Sequence, residues 1–186
     1  MTYRKDAQHL TETLDRFLRE KQETLDAAID RLCRSLQDGR KIMICGNGGS
    51  ASQAQHFAAE IVIRFRKDRK ALSAVALSTD TSILTSAAND FSFDVVFSRQ
   101  VEALGRSGDV LIGLSTSGNS ANVLEALKTA RNLGMDSIAL TGRRGGKVGS
   151  QSDFLLDVPS DSTPRIQEVH LFLLHTIAGE IESRLT

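Results

Sequence analysis

The sequence predicts an α/β protein: a three-layer α/β/α sandwich on a five-stranded parallel sheet, with helices ahead of it at the N-terminus. Two observations carry that expectation. Short, nearly all-apolar runs occur at 42–45, 74–77, 110–114, 137–140 and 154–158, bounded by residues such as Gly, Ser, Asp and Asn. Helical patterns alternate with them at 51–64, 91–104, 120–133 and 165–184. Strands that do not alternate polar with apolar are buried on both faces, which requires helices above and below a parallel sheet. Right-handed crossovers then gather the loops that follow the strands along one edge, where such folds keep their sites.

Taken in order, the first element runs from 3 to 36. Leu10, Leu14, Phe17, Leu18, Leu25, Ile29, Leu32 and Leu36 recur at helical spacing over two successive helices or one bent one, and Gly39 closes it as a C-cap. Amphipathic helices leading into a complete α/β unit need a partner, either a neighbouring subunit or their own sheet. The expectation is a single domain over 1–186 in which 1–38 is a helical extension used in oligomerisation.

The run 42–45 leads into Asn47, Gly48, Gly49 and Ser50 and then a helix. Glycines let backbone approach a ligand, and a helix start offers unpaired N–H groups to an anion, although an ordinary strand-to-helix turn looks the same. The spacing is neither a dinucleotide fingerprint nor a Walker loop. Behind it, His56 and Glu60 stand four residues apart on one face of an alanine-rich helix. Alone they would read as a surface contact; directly behind a glycine loop they read as a site.

The run 110–114 leads into Ser115, Thr116, Ser117, Gly118, Asn119 and Ser120. Ser120 suits an N-cap, but a cap does not account for the other three hydroxyls, which fit a phosphate monoester at a helix start. The last helix carries Leu171, Leu174, Ile177, Ala178 and Ile181 as its core stripe, with His170 read as a packed or surface residue. It also offers Gln167, Glu168 and His175. Gln167 and His175 are eight residues apart, about 12 Å of rise and roughly 80° around the axis, so one ion does not reach both easily. Either the first turn is irregular or a neighbouring chain completes the site; Glu168 is better aligned with His175. The basic run Arg64, Arg66, Lys67, Arg69 and Lys70 reads as a solvated helix end.

Composition excludes several classes. The 186 residues carry 23 Lys plus Arg against 23 Asp plus Glu, so no global field favours nucleic acid or an anionic membrane. No apolar run approaches the roughly 18 residues of a membrane span, and the polar N-terminus lacks a signal peptide's apolar core. One Tyr and no Trp argue against base-stacking platforms. Cys33 and Cys45 have neither metal nor disulfide spacing, which points to a reducing cytoplasm.

The segments CGNGGSA, HFAAE, AND, STSGNSANV, ALTG and RIQEVH, followed by a further His, resemble the phosphoheptose isomerases of the sugar-isomerase (SIS) fold group over nearly the whole chain. That resemblance implies a flavodoxin-like SIS sandwich and an isomerase converting sedoheptulose 7-phosphate to D-glycero-D-manno-heptose 7-phosphate for bacterial surface heptose. It further implies a cytoplasmic homotetramer with active sites between subunits and one zinc ion per subunit. Carried over residue by residue, the metal ligands fall on His56, Glu60, Gln167 and His175, and the acid–base pair on Glu60 and His175. Substrate contacts fall on Asn47, Gly48, Gly49, Glu60, Asn89, Asp90, Ser115, Thr116, Ser117, Ser120 and Gln167. The chain departs from the family at Gln53, where many members carry Asp, and at Lys70, where they tend to carry Pro. An alternative within the resemblance is a non-catalytic SIS scaffold that binds the replication initiator protein, a branch that loses parts of the acid–base set.

Overall fold

A computed structural model describes residues 3–186. One helix, α1 (Tyr3–Gln37), is the first element of the described residues, so of the two alternatives it is a single helix and not two successive ones. No Gly or Pro interrupts its sequence, and it ends where Gly39 adopts φ +69°. Phe17, Leu25, Ile29 and Leu32 are buried, and the helix packs on β5 (Phe154–Asp157) and α7 (Thr163–Leu185) of its own chain. Residues 3–12 remain mostly exposed.

The sheet is all parallel in the order β2-β1-β3-β4-β5, with β1 Ile42–Gly46, β2 Ala74–Ala76, β3 Val110–Ser115 and β4 Asp136–Thr141. Each strand lies within a residue or two of its expected position. Both faces are covered, as unbroken apolar strands require. Ile42, Ile44, Val110, Ile112, Ile138 and Leu140 join one core layer with α1, α2 (Gly49–Val62) and α7. Met43, Cys45, Leu111 and Ala139 point the other way, towards α3 (Thr81–Asp90), α4 (Ser98–Leu104), α5 (Ala121–Asn132) and the short α6 (Gly146–Gly149). Cys33 and Cys45 are free and buried, and burial pushes the Cys45 thiol up to about 12. Among the described residues no helix is long and apolar enough to cross a membrane.

Three expectations are corrected. The stretch 91–104 is not one helix: a 3-10 turn spans Phe93–Val95 and α4 follows, while the unforeseen α3 occupies 81–90. Asp80 starts α3 early by accepting the Ile83 N–H at 2.9 Å. On α7 the buried stripe takes in Leu173, whereas Leu171 is only half-buried. Arg69 is not solvated, its side chain being 2% exposed.

The chain moves from β1 outward to β2, then crosses back to add β3 on the other side of β1. That reversal is a topological switch point, and the loops after β1 and β3 leave side by side at its carboxyl edge, where Gly46 pairs with Leu114.

Candidate active site

The glycine and hydroxyl loops are joined by a pair of amides. Asn47 Nδ2 donates to Asn122 Oδ1 and Asn122 Nδ2 returns the bond to Asn47 Oδ1, both at 2.9 Å. Ser115, buried at the end of β3, shares a 2.8 Å hydrogen bond with Ser120 Oγ. Ser120 occupies the N-cap position of α5, yet its hydroxyl does not cap the helix. Asn122 Oδ1 instead accepts the Val123 N–H. A helix start lined by hydroxyls, whose N-cap side chain takes none of its N–H groups, retains polarity that suits an anion. Ser117 Oγ accepts the Asn119 N–H at 3.1 Å, and Thr116 is fixed through its carbonyl, which accepts the Gly142 N–H. Gly48 is the N-cap residue of α2.

Helices α2 and α7 pack together and run parallel, early residues meeting early (Gly49 and Gln53 with Gln167) and later ones later (His56 with His175). At the leading end, Gln53 Nε2 donates to the Gln167 carbonyl at 2.7 Å, and the Gln167 amide lies over Gly49, where a Cβ would stand 2.7 Å from Nε2. Further along, His56 Nε2 and His175 Nε2 are 2.8 Å apart, with Glu60 Oε1 3.5 Å from His56 Nε2. The two imidazoles meet edge to face at 74°. His56 stands seven positions along α2 from Gly49, so this cluster lies roughly 10 Å along the helix from the hydroxyl loop's end of the seam.

The segment after α2 carries a ring to that cluster. Phe65 stacks on His175 with centroids 5.8 Å apart, and the Arg66 guanidinium lies 4.8 Å from the Phe65 centroid. Glu182 of α7 accepts the backbone N–H groups of Phe65, Arg66 and Lys67 at 3.0 to 3.2 Å. Burial raises its carboxyl, but those donors together with Arg69 at 3.4 Å hold it below the ordinary value. Arg69 also donates to the Glu60 carbonyl at 2.8 Å, tying the segment to the end of α2.

Among the described residues no three His, Cys, Asp or Glu side chains form a ready cage for a metal ion. The donor types nevertheless suit zinc: two imidazole nitrogens meet, and a carboxylate oxygen lies beside the one on His56. Two nitrogens on a tetrahedral zinc, each about 2.0–2.1 Å from it, stand about 3.3 Å apart, so the rings would part by roughly half an ångström. Gln167 does not join them; no hydrogen bond among the described residues links its side chain to His56, Glu60 or His175.

Asn89 and Asp90 close α3, where Asn89 Nδ2 donates to Asp90 Oδ1 at 2.8 Å, and both are exposed. Among the described residues neither makes a hydrogen bond to either loop. Asn122, Phe65 and Glu182 were not foreseen from sequence. For Glu182 a signal existed, an acidic residue within the apolar stripe of α7, seven positions beyond His175. His170 is fully buried and donates no charge to the site; its Nε2 lies 3.1 Å from the Thr141 carbonyl.

The sequence model of the SIS domain family matches residues 5–142. The phosphoheptose isomerase of Helicobacter pylori (strain P12) is 55% identical over 92% of this chain and 89% of its own. Among solved structures, a phosphoheptose isomerase from Neisseria gonorrhoeae superposes with a TM-score of 0.85 at 48% identity, covering 97% of this chain and 98% of that one. One from Francisella tularensis gives 0.88 at 34% identity, covering 98% and 100%.

Proposed function

The chain belongs to the SIS-domain family of phosphoheptose isomerases, and from that premise we propose that it converts sedoheptulose 7-phosphate to D-glycero-D-manno-heptose 7-phosphate through an enediol. The observation that carries this reading is the meeting of His56, Glu60 and His175 down a helix that starts beside an uncapped, hydroxyl-lined helix end. An open-chain sugar phosphate is long enough to engage both at once.

In this mechanism Ser115, Thr116, Ser117 and Ser120 hold the phosphate at the start of α5, and Asn47, Gly48 and Gly49 line the adjoining backbone. Asn89, Asp90 and Gln167 contact the sugar from the rim. Phosphate binding remote from the reacting carbons fixes them in place, which lowers the entropic part of the barrier. Glu60 takes the proton from the carbon next to the carbonyl and returns it to the neighbouring carbon. His175 moves the proton between the two oxygens. One carboxylate oxygen of Glu60 faces His56, leaving the other for this transfer.

Zinc, one per subunit, held by His56, Glu60 and His175 with Gln167 as fourth ligand, would supply Lewis acidity towards the carbonyl oxygen. That role requires the Gln167 amide to leave Gly49. The same reading makes the protein a cytoplasmic homotetramer supplying bacterial lipopolysaccharide heptose, a single SIS domain over 1–186 whose helical extension 1–38 helps bring sites together between subunits. The exposed start of α1 supports it.

Glu60→Gln and His175→Gln are each expected to lower turnover of sedoheptulose 7-phosphate by about 10²–10⁴, the usual worth of acid–base assistance. Wild-type rates in both variants would sink the assignment, and the absence of zinc on elemental analysis of active protein would remove the metal.

A further inference from the structure

The segment 63–73 has no helix or strand, yet one of its residues touches the centre of the proposed site. Phe65 stacks on the His175 imidazole at an interplanar angle of 29°. Three residues of α7 build that contact. His175 presents the imidazole, Gly179 stands one turn on, and Glu182 two turns on, so positions i, i+4 and i+7 share a face. Gly179 leaves room: a Cβ there would stand 3.3 Å from Phe65 Cε1. Glycine inside a helix is ordinarily less favourable than alanine, and the ring seated over it gives a reason for its presence. Glu182 then fixes the backbone that carries the ring, accepting three consecutive N–H groups while Arg69 lies against it.

We infer that Phe65 is a positioning residue for His175, seated on Gly179 and clamped by the Glu182 carboxylate, and that this contact turns the imidazole Nε2 towards His56. The physical need is plain. Rotation of an imidazole about its χ2 bond is broad and roughly two-fold, so backbone alone does not choose which edge faces His56. His175 is only half-buried, and the edge contact with His56 restrains it from one side. The Phe65 face supplies the second restraint. The His56 restraint comes from α2, whereas the Phe65 ring is seated and clamped by Gly179 and Glu182 of the helix that carries the imidazole. The inference rests on the isomerase reading for its catalytic consequence, but the orientation of the ring can be observed without turnover.

The test uses Phe65→Leu, Phe65→Tyr and Gly179→Ala in the protein as purified. The His175 ring-proton resonances, assigned by their loss in His175→Gln, report the stacked ring directly. In Phe65→Leu they are expected to lose the ring-current displacement, and kcat to fall about tenfold with KM within twofold, since a misplaced catalytic group slows the reaction without weakening binding. Phe65→Tyr keeps an aromatic face and is expected to restore most of both signals. Gly179→Ala improves helix propensity, so the fold holds; its methyl crowds Phe65 and is expected to shift the His175 resonances with kcat falling in step. Unmoved His175 resonances in Phe65→Leu and Gly179→Ala overturn the inference, as does a kcat within twofold of wild type in both. A wild type that turns over no sedoheptulose 7-phosphate overturns the isomerase reading instead, and the resonances still decide the positioning.

Discussion

Asn122 shows how a residue outside the proposed chemistry can hold two loops in register. Its amide closes a two-bond ring with Asn47 and bridges the loops after β1 and β3. It is 3% exposed, so truncation leaves the Asn47 amide facing a space without a partner. Asn122→Ala is expected to raise KM for the phosphosugar by about three- to tenfold with little loss of kcat, because the loops that bind lose their register while Glu60 and His175 keep theirs. Steady-state kinetics check this; an unchanged KM would show that the loops hold without the bridge. Sequence could not assign that role. His56 and Glu60 were legible because four-residue spacing on a helix is a local fact, whereas the partner of Asn122 is chosen 75 residues away by strand order. Gln167 and His175 remained ambiguous for a related reason: helix geometry set their separation, and only packing on α2 shows that they face different stations of one seam.

At the scale of elements, the strands were readable because burial on both faces writes itself into sequence as an unbroken apolar run. Helix α3 was not, since Ala87 is its one buried residue and no stripe marks it; Asp80 was the available sign. Helix α6 is four residues long and equally silent, yet it props the hydroxyl loop: the Val148 N–H donates to the Gly118 carbonyl at 2.8 Å and Lys147 N–H to Asn119 Oδ1 at 3.3 Å. Gly118 sits at φ +65°, and a Cβ would come within 2.3 Å of the Gly145 carbonyl oxygen. Backbone must therefore move in Gly118→Ala. A cost of about 2 kcal/mol is expected from that strain. In a chain of this size that is a fall in melting temperature of about 4–8 °C. Phosphosugar should also cease to raise the melting point, since the loop that would grip it is displaced. A variant with wild-type melting and wild-type ligand protection would mean that α6 yields without consequence.

For the molecule as a whole, the buried histidine of α7 sets how stability responds to acid. His170 is fully buried in the layer between α7 and the sheet. Its Nε2 faces the Thr141 carbonyl, so that nitrogen carries the proton, and Nδ1 is buried with no hydrogen-bond partner among the described residues. Charging the ring would place a second N–H where nothing accepts it. Burial accordingly lowers its pKa from 6.5 to about 4, against a smaller opposing pull from Thr141. The folded state thus binds fewer protons than the unfolded state between those two values, and stability rises with pH across the interval. The contribution is complete above about pH 6.5 and is lost as pH falls towards 4, on the order of 3 kcal/mol in all. Glu182 acts in the same direction but in a lower window, because its carboxyl begins from 4.5 and is depressed further. The two can therefore be separated. Urea unfolding of wild type at a single protein concentration is expected to lose about 2 kcal/mol between pH 7 and pH 5. His170→Gln should flatten that interval and leave the steeper fall below pH 4.5. Its amide can still donate to Thr141, whose carbonyl also accepts the Val158 N–H at 2.9 Å, so the substitution orphans no acceptor. Equal slopes for the two proteins from pH 7 to 5 would show that the acid response originates in some other group.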